Sequence, residues 1–180
     1  MDRQPVLTGS EVELRPLRAA DWPALFAVAS DPEIWAQHPM HDRWQEPVFR
    51  AFFDDALQAG GALAIVERES GRIVGSSQIR PHPLDETQTE IGWTFIARDR
   101  WGTGLNAQVK ALVVAHVLAA RHRVVFRVGE TNARSRRAME KIGGRLTDAV
   151  QEGTAHGRPV RHVVYEITRD DFAAGPLITP

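Results

Sequence analysis

The stretch Arg98-Asp99-Arg100-Trp101-Gly102-Thr103-Gly104-Leu105-Asn106-Ala107 decides how this chain folds. Before it runs an apolar, strand-like segment, Ile91-Gly92-Trp93-Thr94-Phe95-Ile96; after it an apolar run from Leu105 to Ala120 contains neither Gly nor Pro. The order is strand, glycine-rich turn, helix. Such a turn gathers backbone N–H groups at the positive end of a helix dipole and forms an anion site. Gly102 and Gly104 let the backbone approach a phosphate with no Cβ in the way. A plain strand-to-helix connector has the same appearance, so one Gly-x-Gly does not specify a ligand.

Working outward, Thr87 to Ile96 reads as the strand that enters the turn, and Arg123 to Val128 as the strand beyond the helix. This strand-helix-strand unit predicts a parallel pair. Upstream, Ala62–Arg68 and Ile73–Ile79 form a hairpin about the turn Glu69–Arg72. Pro81–Asp85 is a loop. Glu46 to Ala59 is a helix with Val48, Phe52, Ala56 and Ala59 on its spacing, stopped by Gly60-Gly61. Trp35 to Trp44 is irregular. Asp31-Pro32 ends an earlier helix, or starts a new turn; Asp21 N-caps that helix, with Pro23 in its first turn. Glu11–Leu17 alternates polar and apolar as a strand does, and Pro16 predicts an edge position.

Downstream, Asn132 caps a helix from Ala133 to Ile142 by accepting from the N–H near Ser135, and Gly143-Gly144 ends it. Arg145–Val150 and Arg158–Ile167 are closing strands around the turn Glu152–Gly157, and Phe172–Pro180 reads as a loose tail. No repeat or linker interrupts the chain. The expectation is one domain over residues 1–180, of α+β class: a mixed, mostly antiparallel central sheet flanked by helices.

The 180 residues suffice for one real core, and a net charge of -1 gives no field that would favour nucleic acid or an anionic membrane. With no cysteine, thiol catalysis, disulfides and thiolate metal sites are excluded. The N-terminus has no apolar signal core, and the longest apolar run is broken by Arg121 too soon to span a bilayer. A cytoplasmic protein, monomer or homodimer, is expected. His38-x-x-His41 lies in a loop without a helix to align the pair, so no metal is expected. His116 reads as a satisfied core histidine. Trp35, Trp44 and Phe53 are candidates for lining an acceptor pocket or, equally, for the core.

Two families use a turn of this kind. Gly102-x-Gly104-x-x-Ala107 matches the dinucleotide fingerprint, and Glu130 imitates its ribose-binding acid. That motif opens a run of strand-helix-strand units, whereas here one unit stands between antiparallel hairpins. The chain more closely resembles the GNAT superfamily of acetyl-CoA-dependent N-acetyltransferases in element order and in three signatures. Trp101-Gly102-Thr103-Gly104-Leu105-Asn106 stands where the family has Arg/Gln-x-x-Gly-x-Gly/Ala. Asn132-Ala133-Arg134-Ser135 with Glu140-Lys141-Ile142-Gly143 is similar to its Asn-x-x-Ser…Glu-Lys-Leu-Gly helix. Glu90-Ile91-Gly92-Trp93 is similar to its Glu-Ile-Gly-Tyr strand. Together they resemble the branch with the ribosomal-protein N-terminal acetyltransferases.

The resemblance implies acetyl-CoA as co-substrate, lying across splayed strands 87–96 and 123–129, with its pyrophosphate on the N–H groups of Trp101, Gly102, Thr103, Gly104, Leu105 and Asn106. It implies that a backbone N–H at Trp93 or Thr94 serves the oxyanion and that Asn132 touches the pantetheine arm. Arg137, with Arg134 and Lys141, is a candidate for the CoA phosphates; a solvated helix face is the other meaning of such a cluster. Glu90, at the entry of the central strand, is the candidate base, directly or through water; an ordinary solvated strand-edge carboxylate is the other reading. Many members carry a Tyr acid where this chain has Met139, and the only tyrosine is Tyr165. Ser135 is the candidate proton donor to the sulfur, or else a second capping hydroxyl. The activity implied is acetyl transfer to a primary amine; a dinucleotide oxidoreductase and a silent CoA-binding module are the alternatives.

Overall fold

The computed structural model describes residues 1–82 and 85–178. The elements are β1 (Leu7–Thr8), β2 (Val12–Pro16), α1 (Trp22–Ala29), α2 (Pro32–Trp35), α3 (Glu46–Ala59), β3 (Ala62–Glu67) and β4 (Ile73–His82). There follow β5 (Asp85–Ile96), α4 (Leu105–Ala120), β6 (Arg123–Gly129), α5 (Ala133–Lys141), β7 (Arg145–Ala155), β8 (Arg158–Thr168) and α6 (Arg169–Ala174). All strands join one eight-stranded sheet in the order β1-β2-β3-β4-β5-β6-β8-β7. Only β5 and β6 run parallel, as the strand-helix-strand unit predicts; every other pairing is antiparallel. A doubly wound parallel sheet, which the dinucleotide reading needs, is not what forms.

Phe95 of β5 meets Trp35 of α2 at 5.1 Å and Phe49 of α3 at 5.7 Å between ring centroids. Thr94, one residue earlier, meets Lys110 of α4. Neighbouring strand residues point to opposite faces, so α2 and α3 cover one face and α4 the other. The helix α4 buries Leu105, Val109, Val113 and Val117, one per turn, flanked by Lys110, Val114 and Leu118. That stripe is wide because the helix lies across β1, β2, β5 and β6.

Several expectations give way to tertiary packing. Pro16 ends β2, yet β2 is not the edge: two-residue β1 pairs on its outer side. Asp21 has helical backbone and makes no capping bond. Its carboxylate instead takes both Nη groups of Arg15 at 2.8 Å and the Arg18 N–H at 2.9 Å, fixing the entry to α1. On α3 the buried face is Phe49, Phe53 and Ala56, one step round from the Val48–Phe52 stripe, because Phe49 docks against Trp22, Phe26 and Phe95. Pro81 and His82 belong to β4 and Asp85 to β5 rather than to a loop; positions 83 and 84 lie outside the described residues. The closing hairpin runs to Ala155, and its turn is only His156-Gly157, at φ +51° and +72°. Two consecutive left-handed residues make the tight turn whose twist suits a hairpin. The segment read as loose carries part of α6, and Leu177 is buried; positions 179 and 180 lie outside the described residues.

Candidate active site

The site follows from where β5 and β6 stop pairing. Their ladder holds only Thr89 with Val124 and Glu90 with Val125. Beyond those pairs the strands diverge, and a cleft of about 810 Å³ opens between them. On the other side of β5, Ser76 opposes Phe95 and Gln78 opposes Gly92, so Ser77 faces both Trp93 and Thr94. This is a β-bulge, and Trp93 carries its left-handed backbone at φ +53°. A tryptophan in that region is a strained conformation that the surrounding structure must hold. Arg80 lies over its ring at 4.4 Å.

At the other end of β5 the glycine turn meets α4. Gly102 and Gly104 have φ of +76° and +90°, and no atom lies within 4 Å of where either Cβ would stand. The space before the helix is open, and of its first N–H groups only that of Leu105 has a side-chain partner, Thr103 Oγ1 at 3.4 Å. Those two features are what a diphosphate requires. The residues present therefore fit the CoA pyrophosphate. Trp101, Gly102, Gly104 and Asn106 line the cleft. Thr103 and Leu105 do not: the Thr103 hydroxyl donates to Arg100 O at 2.9 Å and the Leu105 side chain is in the core, leaving them only backbone groups to offer. The Trp101 indole donates to Ile96 O at 3.0 Å and stacks under Arg134 at 4.2 Å.

Glu90 lines the cleft but is neither at a strand entry nor solvated. It is 2% exposed, and both carboxylate oxygens accept from Arg127 Nε at 2.8 Å. Arg127 also donates from Nη1 to Gln151 Oε1 at 2.9 Å, tying β6 to β7. Below the bulge sits Lys110, 3% exposed, donating from Nζ to Thr94 Oγ1 at 2.8 Å. Thr94 Oγ1 is in turn 2.8 Å from Ser77 Oγ. Burial without a carboxylate lowers the Lys110 pKa to about 7. Neither Lys110 nor Arg127 was singled out from the sequence. A signal existed for Lys110, the only formally charged residue between Leu105 and Ala120. Arg127 stands in the apolar run Val124–Val128, an equally legible anomaly.

From α5, Asn132 accepts from the Ser135 N–H at 3.1 Å, the expected cap. The Ser135 hydroxyl has no protein partner among the described residues and lines the cleft, so it is not a second cap. Arg137 and Lys141 line the same side and are exposed. Arg134 instead turns to the carbonyls of Glu33 and Ile34. Tyr165 is fully buried; its hydroxyl donates to Glu140 at 3.2 Å and receives Arg136 Nε at 3.2 Å.

The loop 36–45 lines a further part of the cleft and reaches α5, where Gln37 Oε1 accepts from the Arg134 N–H at 3.1 Å. Gly129 at the end of β6 admits it: a Cβ there would meet Pro39 Cγ at 3.0 Å. Trp35 lines the cleft as expected, but Phe53 is core and Trp44 is 42% exposed outside it. His38, Met40, Arg43 and His162 complete this part. His38 Nδ1 accepts from Met40 N–H at 2.9 Å, and burial with nearby Arg43 pushes its pKa down to about 3. Burial, then Arg127, also lowers that of His162. His116 is not a core residue: it is half-buried, with Nε2 2.7 Å from the Asp2 carbonyl. Among the described residues no three His, Cys, Asp or Glu side chains come together as a metal site would require.

A mixed sheet whose single parallel pair splays over a helix N-terminus defines an acyl-CoA-dependent N-acyltransferase fold. The family model for the acetyltransferase (GNAT) domain matches residues 11–145. A GCN5-related N-acetyltransferase from Brucella melitensis superposes with a TM-score of 0.82 at 19% identity, over 95% of this chain and 81% of that one. The acetyltransferase from Agrobacterium tumefaciens str. C58 has a TM-score of 0.67 at 26% identity, over 92% and 95%. Mycobacterium smegmatis RimJ, in complex with CoA-disulfide, has a TM-score of 0.69 at 21% identity, over 92% and 86%. The chain belongs to the GNAT acetyltransferase family, an enzyme family that transfers acetyl groups from acetyl-CoA. No helix among the described residues is long and apolar enough to cross a membrane.

Proposed function

We propose that the protein acetylates a primary amine, of a peptide N-terminus or a small molecule, by direct attack in a ternary complex with acetyl-CoA. The observation that carries this reading is the divergence of β5 from β6 with the Trp93 bulge at its edge. An extended thioester arm laid there adds to the open side of β5, and its acetyl group reaches the bulge.

The co-substrate supplies an activated thioester; the protein supplies position and charge. The N–H groups of Gly102, Thr103, Gly104 and Asn106 hold the diphosphate at the N-terminus of α4, those of Trp101 and Leu105 being engaged by Arg98 O and Thr103 Oγ1, with Arg137 and Lys141 as outlying cations. Asn132 keeps α5 capped beside the arm. At the bulge, the Trp93 or Thr94 N–H receives the charge that builds on the acetyl carbonyl, with Lys110 holding Thr94 from below. Glu90, held by Arg127, takes the amine proton through a water, since its carboxylate is buried. The free Ser135 hydroxyl returns a proton to the sulfur. We include in this reading a cytoplasmic enzyme, monomer or homodimer, that needs no metal and acts on neither nucleic acid nor membrane.

The test is thiol release from acetyl-CoA with a panel of amines, alongside melting curves with CoA, NAD and ATP. Amine-dependent thiol release and stabilisation by CoA alone are expected. Stabilisation by NAD instead would restore the dinucleotide reading. CoA stabilisation without thiol release from any amine would leave a silent binding module.

A further inference from the structure

Among the cations that line the cleft, Arg43 is distinguished by facing a second donor, His38, while having no ion-pair partner among the described residues. Arg127 is paired with Glu90, Arg100 with Glu67, and Arg134 with main-chain carbonyls. Arg137 and Lys141 stand at the α5 side, where the co-substrate's phosphates belong. Arg43 lies on the loop 36–45, and among the described residues no carboxylate forms an ion pair with it. Of the two acids that act on it, Asp55 binds Arg80 at 2.7 Å, and Asp42 turns its Oδ1 to 3.1 Å from His156 Nε2. Glu90 is the only acidic residue lining the cleft, and it is taken by Arg127.

The guanidinium lies over two aromatic rings. Its carbon sits 4.5 Å from the centre of the Phe52 ring and 5.6 Å from that of Trp35. Ring faces take none of its N–H groups as conventional acceptors, so its donors remain for a ligand. The one polar atom near that edge is His38 Nε2, 3.4 Å from Nη1. His38 cannot accept there. Its Nδ1 already accepts from the Met40 N–H, and the ring stays neutral because burial and Arg43 itself disfavour a second proton. The hydrogen of the neutral ring is therefore on Nε2, and two N–H donors face one another at the wall of the cleft. A half-buried cation beside a second donor, with no acceptor for either, is a costly arrangement unless a ligand brings the acceptor.

We propose that Arg43 and His38 together receive a carboxylate of the acceptor, so that the preferred substrate is a primary amine that also carries a carboxylate. This rests on the acetyltransfer reading above and names its substrate class. A planar carboxylate takes two parallel N–H bonds from a guanidinium edge, or one from Arg43 and one from His38 Nε2. The amine is then directed towards Glu90 and the Trp93 bulge, which line the same cleft. Neutral or polycationic amines gain nothing from this pair and meet an uncompensated positive charge.

The experiment compares matched acceptors that differ only in charge. One arm uses free amino acids against their carboxamides; the other uses short peptides beginning with Asp or Glu against those beginning with Asn or Gln. In at least one arm, kcat/KM for the carboxylate form is expected to exceed its neutral partner by about 10–100-fold, the worth of a charge-assisted pair. The arm that shows it identifies the source of the carboxylate. In R43Q the preference collapses through a raised KM, and R43K restores part of it. If R43Q does not fold, the comparison within the parent enzyme stands alone. Equal rates for both members of every pair would overturn the carboxylate site and leave acetyltransfer standing. A preference that survives in folded R43Q would also overturn it. A folded, CoA-binding protein that releases no thiol with any amine would overturn acetyltransfer, and the acceptor proposal with it.

Discussion

Glu90 and Arg127, on the two strands that part to form the cleft, meet at 2.8 Å immediately beyond their last ladder pair. The ion pair closes the apex of the cleft. It joins β5 to β6 where backbone bonding ends, and it presents a buried carboxylate beside the bulge at Trp93. The pair thereby serves the opening of the site and, in our reading, its chemistry.

Glu90→Gln separates those roles. Gln keeps the size and one acceptor for Arg127 but cannot take a proton. The turnover number should fall by about 10²–10⁴, with CoA affinity nearly unchanged. Part of the loss should return at high pH, where more of the amine is already neutral. A pH–rate profile checks this; a variant with the parent's rate and profile would assign catalysis to positioning and the bulge N–H alone.

Gly104→Val should abolish CoA binding while the fold survives. Gly104 is at φ +90°, a conformation that a β-branched residue resists, although nothing nearby obstructs a Cβ. In the parent, CoA at ~100 times its Kd should add about 2.7 kcal/mol of stability. Melting curves with and without CoA should show that increment vanish in the variant, with the far-ultraviolet dichroism retained.

Lys110 predicts a slope of stability against pH. Burial lowers its folded pKa from 10.5 to about 7. Between those values the unfolded chain binds the extra proton, so stability rises with pH across that window. Below about pH 7 both states are protonated and the burial penalty is fully present. Relative to Lys110→Met, the parent should gain up to about 1.4 kcal/mol per pH unit from pH 7 towards pH 9. Denaturant unfolding at a series of pH values measures it; parallel curves for the two proteins would contradict it.

Ser135 and Asn132 should divide stability from rate. Asn132→Ala removes the cap bond to the Ser135 N–H and should cost about 1 kcal/mol. Ser135→Ala removes a hydroxyl that has no protein partner among the described residues, so stability should hold while the turnover number falls, by less than for Glu90→Gln. Equal destabilisation by both substitutions would show Ser135 to be structural.

What the sequence determined on its own is what lies within a few residues along the chain. The strand, the Gly102–Gly104 turn and the α4 run are local: left-handed glycines and a helix start are set by neighbours in sequence. So are the Asn132 cap and the parallel sense of β5 and β6, which follows from one crossover helix. Those signals carried the fold and the glycine turn that opens the cleft. The remaining walls of the cleft were decided only by tertiary structure. Glu90 meets Arg127 across 37 positions because the β5–β6 register places them together. Lys110 lies under Thr94 because α4 crosses beneath the bulge. Arg43 has no ion-pair partner among the described residues because Asp55 binds Arg80 of β4 and Asp42 turns towards His156 of the closing hairpin turn. Charge pairing across a sheet depends on register and splay, and neither is written in any short window of the chain.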